Sequence, residues 1–280
     1  MNVFISADIE GITGLVSWAQ AGRPHGDHYD WAFARRMMTH DVNAAIRGAR
    51  AAGAKRVLVK DSHGSSRNLL IDELEAGVEL ISGTVPHPNG MMTGLDSSFD
   101  CAMLVGYHAM AGTLEGVMEH TITGSVHRFW INGMPCGEIA MSTATAGQFG
   151  VPLVFVSSDD KGCLEASVLV KGIKTAEVKT GMGRYIARLK HPSETGPLIE
   201  ETAKKAVQAR KDIAPWCPDS PVTVRLEQNS SEQADAAGLL PGWNRLDAYT
   251  LEHTADTWEA AHRATRRAMA NAGLGNAGNQ

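Results

Sequence analysis

The sequence contains no apolar run approaching the roughly 20 residues that span a bilayer, and its N-terminal apolar stretch, Val3 to Ala7, is too short for the core of a secretory signal. These two absences exclude a helical membrane protein and lead to the expectation of a cytoplasmic one. Cysteine is scarce. The four present, Cys101, Cys136, Cys163 and Cys217, are widely spaced with no Cys-x-x-Cys pair, which excludes a thiolate metal knuckle or a dithiol redox motif. Three of them sit among apolar or small residues and read as buried, reduced thiols, in keeping with a reducing compartment. Runs of Lys and Arg are also missing, and the formal net charge is -5. Nucleic acid is therefore excluded as the main partner, because phosphate binding needs a concentrated basic surface. There is no internal repeat and no low-complexity segment.

What is present is the composition of an ordinary globular protein: 280 residues, 43% apolar and 20% charged, enough for one large domain or two modest ones. Apolar runs Val3–Ala7, Arg56–Lys60, Val78–Ile81, Cys101–Val105 and Val151–Val156 read as buried strands. Trp31, Met38, Val42, Ile46 and Ala49 recur at helical spacing between the first two, with Gly53 as a stop. Strand, helix, strand in about sixty residues is a βαβ unit, hence a parallel pair with a right-handed crossover. Further on, Gly124–Ile131 reads as a strand turning at Asn132-Gly133 into a second strand from Met134 to Ile139. Helices are predicted over 138–149 and 160–170. Asp159 and Asp160 read as caps of the second of these.

Beyond about residue 190 the texture becomes richer in Glu, Lys, Ala and Pro. We expect helices over 191–211, 231–239 and 254–271, strands over 222–226 and 245–249, and a frayed tail from Gly273. The fold class is α/β: a mostly parallel sheet flanked by helices, with a smaller C-terminal α+β part. Residues 1–190 would form a metal-binding catalytic domain and 191–280 a smaller domain or extension.

Function is concentrated around Asp8-Ile9-Glu10-Gly11. Side chains two apart on a strand point to one side, so Asp8 and Glu10 converge. Two buried carboxylates repel unless a cation or a shared proton lies between them; the plainer alternative is that Asp8 caps a turn and Glu10 is solvated. His63 and His108 follow the second strand and the Cys101–Val105 strand, so these residues meet at the C-terminal edge of the sheet, where open α/β folds bind ligands. His120 and Glu138 lie in the next segment, and spacing alone includes them only weakly. Carboxylate and imidazole ligands without thiolate suit Zn²⁺, with Mn²⁺, Fe²⁺ or Co²⁺ as alternatives. More ligands than one catalytic zinc requires imply two ions, which about 3.5–4 Å apart activate water and polarise a carbonyl.

The remaining polar residues have plainer readings. Asp61 either orients a ligand or caps its turn. His25, His28, His40, His87, His127, His191, His253 and His262 read as surface or loop residues, and Trp18, Trp31 and Trp130 as core, interface or pocket lining.

The segments Ser6-Ala7-Asp8-Ile9-Glu10-Gly11-Ile12, Asp61-Ser62-His63, Ile81-Ser82-Gly83, Gly106-Tyr107-His108-Ala109, Gly116-Val117-Met118-Glu119-His120 and Ile131-Asn132 through Gly137-Glu138 resemble peptidase family M55, the zinc-dependent D-aminopeptidases related to the bacterial dipeptide-operon protein. The resemblance covers most of the chain and is densest over residues 1–160. It implies two zinc ions per subunit, with Asp8 bridging, Glu10 and His108 on one ion and His63 and Glu138 on the other. His120 falls on the family's catalytic histidine, as nucleophile, general acid/base or oxyanion stabiliser. The resemblance further implies a homodecamer of stacked rings whose chamber admits small substrates. Lys60, where the family often has Asn, Glu119, where Ser is familiar, and the loop Ser17–Tyr29, rich in Trp and His, depart from the pattern and bear on substrate preference.

The expected activity is hydrolysis, by metal-activated water, of the N-terminal amide bond of short peptides or amino acid amides, with D-residues as the suggested preference. Alternatives are an amidase acting on a non-peptide amide, a dinuclear phosphoesterase, or a peptide-binding component of a transport system.

Overall fold

The computed structural model describes residues 1–22 and 30–275. The chain opens with β1 (Asn2–Ala7), α1 (Trp31–Ala51), β2 (Arg56–Asp61), β3 (Glu79–Ile81) and β4 (Cys101–Val105). It then leaves the sheet for β5 (Val126–Ile131), β6 (Met134–Pro135) and α2 (Glu138–Gly147). It returns through β7 (Leu153–Asp159), α3 (Asp160–Leu169), β8 (Lys174–Gly183), β9 (Ile186–Leu189) and α4 (Pro192–Gln208). The last part holds β10 (Val222–Gln228), α5 (Ser231–Gly238), β11 (Asn244–Arg245), β12 (Thr250–Ala255) and α6 (Trp258–Ala272).

Seven strands form the main sheet in the order β3-β2-β1-β4-β7-β8-β9. All neighbours are parallel except the terminal pair β8–β9. Its central strands β4 and β7 are buried along their whole length and β1 everywhere but Asn2, as expected for a parallel sheet covered on both faces. The α/β, mostly parallel class is therefore what the structure has. A second, antiparallel sheet, β11-β12-β10-β5-β6, encloses its own core with α2, α5 and α6. Chain order and packing cross at residue 190. The small sheet takes β5 and β6 from before that point, while α4 from beyond it packs on α1, β7 and β8.

Three local differences from expectation have visible causes. The second strand of the Asn132-Gly133 hairpin ends at Pro135 rather than Ile139, because Gly137 caps α2, which starts at Glu138. The turn itself has both residues at positive φ, 48° and 80°, the conformation a tight hairpin requires. The strand expected at 245–249 lies at Thr250–Ala255. The Asp247 carboxylate accepts the Tyr249 and Thr250 N–H groups, and the Arg245 guanidinium donates to the Asp247 and Ala248 carbonyls, which curls 246–249 into a loop between β11 and β12. Finally, β8 and β9 have no counterpart in the expected elements, and they extend the main sheet.

Candidate active site

The sheet order explains why the candidate residues meet. β1 lies between β2 and β4, about 4.8 Å from each, so Asp8 and Glu10, just past β1, are flanked by His63 past β2 and His108 past β4. Asp8 N–H donates to the Val105 carbonyl and Gly11 N–H to the Gly106 carbonyl, at 2.8 Å each, extending the β1–β4 pairing through the acidic turn. Gly11 is required here: a Cβ at this position would lie 1.7 Å from the Tyr107 carbonyl oxygen. Beneath the turn, Ser6 Oγ joins Ser62 Oγ, the Tyr107 hydroxyl and the Met91 carbonyl at 2.7–2.9 Å.

His63 Nδ1 is 3.2 Å from Asp8 Oδ1 and 3.1 Å from Glu10 Oε2. His108 Nε2 is 3.6 Å from Asp8 Oδ2 and 3.2 Å from Glu138 Oε1. His120 Nε2 is 3.6 Å from Glu138 Oε1 and 3.9 Å from Glu10 Oε1. The six side chains named from the sequence thus form one buried cluster, including His120 and Glu138, which spacing had included only weakly. Ligand atoms of Asp8, Glu10 and His108 lie within 4.8 Å of one another, as do those of His108, His120 and Glu138.

Each imidazole has one nitrogen occupied by the backbone. His63 Nε2 donates to the Ala21 carbonyl at 2.8 Å, His108 Nδ1 to that of Ala109 at 3.0 Å, and His120 Nδ1 to that of Met118 at 2.9 Å. The opposite nitrogen of each ring then points into the cluster, the orientation a metal-binding histidine needs once that nitrogen is deprotonated. Both Glu10 carboxylate oxygens and His108 Nε2 are sealed from solvent with ion-pair contacts to their neighbours but no hydrogen bond of good geometry. Buried groups of this kind are costly, and a divalent cation would satisfy them. The donor set, carboxylate oxygens and imidazole nitrogens, fits zinc.

The electrostatics agree. Burial and the neighbouring Glu10 charge push Asp8 up to about 7. Burial works against the ionised forms of Glu10 and Glu138, but the histidines outweigh it, holding Glu10 well below the carboxylate range and Glu138 at about 2. Burial opposes the protonation of His63 and His108, yet the facing carboxylates raise both well above 6.5. His120 goes the other way, to about 4, through burial and the adjacent His108, on which it stacks with ring centroids 4.0 Å apart.

The supporting residues divide between those weighed from the sequence and those it concealed. Asp61 accepts the N–H groups of Asn68 and Leu69 and the Asn68 amide, which in turn donates to the His63 carbonyl, so it shapes the His63 loop. Asp159 caps α3 through Gly162 N–H and also accepts Val117 N–H, steadying the approach to His120. Trp18 sets its edge against His120 at 5.1 Å and lines the cavity above the cluster. Of the histidines expected at the surface, His262 is buried and stacked on Trp258, while His25 and His28 lie outside the described residues.

Lys179, on β8, was not foreseen. Its ammonium is fully buried and donates to the carbonyls of Glu10, Ile12 and Leu15 at 2.6, 3.0 and 2.7 Å, strapping down the loop that carries Glu10. Glu165, likewise unforeseen, accepts Met110 N–H at 2.8 Å behind His108. Neither residue belongs to a motif; both act through the backbone of a segment remote in sequence.

The profile of the peptidase M55 family, described as D-aminopeptidase, matches residues 1–267. The chain belongs to that family. A D-aminopeptidase of Bacillus subtilis (strain 168) is 34% identical over 244 residues, covering 86% of each chain. Among solved structures, the Zn-dependent D-aminopeptidase DppA from Bacillus subtilis, described as a self-compartmentalizing protease, superposes with a TM-score of 0.92. It is 32% identical, and the match covers 97% of this chain and 98% of that one. The M55 fold thus extends through both sheets, and none of the described helices is long and apolar enough to cross a membrane.

Proposed function

We propose that this M55 protein is a zinc-dependent aminopeptidase that hydrolyses the N-terminal amide bond of short peptides or amino acid amides, with D-residues preferred. The observation that carries the reading is the convergence of three carboxylates and three oriented imidazoles in one buried cluster, where both Glu10 oxygens and His108 Nε2 have ion-pair contacts but no well-formed hydrogen bond. Asp8 would be shared by two metal sites, one completed by Glu10 and the other by Glu138, with His63 nearest Glu10 at 3.1 Å and His108 nearest Glu138 at 3.2 Å. Two zinc ions held there would supply Lewis acidity toward a scissile carbonyl and lower the pKa of water.

The chain's own residues do the rest. His120, held near 4 by burial and His108, is neutral at pH 7, and its Nε2 is free to take a proton because Nδ1 is committed to Met118. It can pass that proton to the departing amine, the work of a general acid/base. Trp18 closes one side of the space above it and limits water there. The name self-compartmentalizing given to the Bacillus subtilis structure supports assembly of this chain into a homo-oligomer, which we propose is a decamer of stacked rings in the cytoplasm. The exposed apolar tip formed by Met182, Tyr185 and Ile186 gives such an assembly a surface to bury.

His120→Ala tests the assignment. Zinc content should be retained while turnover of D-alanine amide falls about 10²- to 10⁴-fold. Loss of zinc would make His120 a ligand instead, and unchanged turnover would remove it from the reaction. Hydrolysis of p-nitrophenyl phosphate in place of the amide would point to a phosphoesterase.

A further inference from the structure

The cluster opens into a cavity of about 1560 Å³, larger than a lone amino acid amide requires. Asp8, Glu10 and Glu138 line one part of it. Another part is lined by Arg263, Arg266 and Arg267 of α6, which share a helix face by their spacing of three and four. The two exposed arginines, Arg263 and Arg267, sit where water can screen them, and Arg263 also faces Glu259 at 3.8 Å. Arg266 is different. It is half-buried beside His262, whose ring is fixed by a hydrogen bond from Nδ1 to the Pro88 carbonyl. Among the described residues no carboxylate, carbonyl or hydroxyl accepts a hydrogen bond from its guanidinium.

The nearest compensating charge acts through space, from Glu138. Glu138 is already engaged: it accepts Ile122 N–H at 2.6 Å and faces His108 and His120. A half-buried guanidinium with five donors and no acceptor is poorly solvated. Its planar fork matches a carboxylate. Because the group sits in the wall of the same cavity as the catalytic cluster, the missing anion should arrive with the substrate. In a short peptide bound with its N-terminal amide at the cluster, the C-terminal carboxylate follows within about 3.5 Å per residue.

We infer that Arg266 receives the free C-terminal carboxylate of the substrate, making the protein selective for short peptides with an unblocked C-terminus over amino acid or peptide amides. This rests on the aminopeptidase reading above and adds a specificity residue to it. Arg263 and Arg267 guide the carboxylate inward from the rim.

The test compares D-Ala-D-Ala with D-Ala-D-Ala amide on the zinc-loaded full chain, with zinc content and circular dichroism recorded for each variant. Wild type should prefer the free acid in kcat/KM by about 10- to 100-fold, the range of one charge-assisted pair. Arg266→Gln should erase the preference by raising KM for the acid, with the kinetics of the amide unchanged. Arg266→Lys, which keeps the charge without the fork, should give an intermediate ratio, and it decides the question if Arg266→Gln does not fold. Calorimetric binding of D-Ala-D-Ala to the metal-free protein supplies a readout independent of turnover and should be lost in Arg266→Gln. An unchanged acid-to-amide ratio, or equal losses on both substrates, overturns the role of Arg266 while leaving the aminopeptidase standing. No hydrolysis of either compound by zinc-loaded wild type overturns the aminopeptidase reading, and the binding experiment then judges Arg266 alone.

Discussion

Replacing Lys179 with Met would remove the strap that holds the ligand-bearing loop. Three buried carbonyls, those of Glu10, Ile12 and Leu15, would each lose a donor, at about 1–3 kcal/mol apiece. Part of that loss is offset because a fully buried ammonium no longer has to be desolvated; burial pushes Lys179 down to about 8 even though Asp159, Asp41 and Glu10 oppose it. A net destabilisation of about 3 kcal/mol is expected. Thermal unfolding of the metal-free protein should show it as a fall of roughly 6–12 °C in Tm. The loop would also loosen around Glu10, so zinc should bind more weakly than to wild type in a chelator competition. Lys179→Arg would not rescue, since the larger fork does not fit where three carbonyls converge on one nitrogen. A loss below about 1 kcal/mol together with unchanged zinc affinity would refute the strap.

Three further outcomes follow from the same geometry. Asp8→Ala should deplete both zinc ions, because the residue lies between His63 and His108; elemental analysis finding one full equivalent would show that Asp8 is not shared. Gly11→Ala should misplace the acidic turn, since its Cβ meets the Tyr107 carbonyl at 1.7 Å; normal zinc content and unfolding temperature would contradict this. Zinc affinity should fall as pH falls, because zinc must displace protons from His63 and His108, which hold them well above pH 6.5, and from Asp8 below about 7. Titrations at pH 8 and pH 6 should differ by about 100-fold or more per unit, given at least two protons, and equal affinities would mean the ligands bind no protons in the metal-free state.

The sheet edge was legible because β1, β2 and β4 are unbroken apolar runs whose ends are marked by polar residues, so Asp8, Glu10, His63 and His108 could be placed by one positional rule. Glu138 and His120 could not be placed that way. They reach the cluster from the excursion through β5 and β6, whose path depends on contacts with β10, far along the chain. β8 escaped detection for a related reason. Its Lys174–Gly183 segment carries Lys and Glu among its apolar residues, and one of those lysines, Lys179, is fully buried, which no hydropathy pattern signals. Arg266 reads from sequence as one more cation on an amphipathic helix; only its burial distinguishes it from the exposed Arg263 and Arg267.

The placement of Glu138 has a mechanical consequence. Asp8, Glu10, His63 and His108 hang from the large sheet, whereas Glu138 opens α2, a helix whose Ala140, Met141 and Ala144 pack into the core of the small sheet while Ile139 and Ala146 join the large one. A cation gripped by both groups would rivet two separately built cores together. Zinc loading would then be felt as cooperativity: the charged protein should melt as one unit, and the stripped protein should give up the small sheet first.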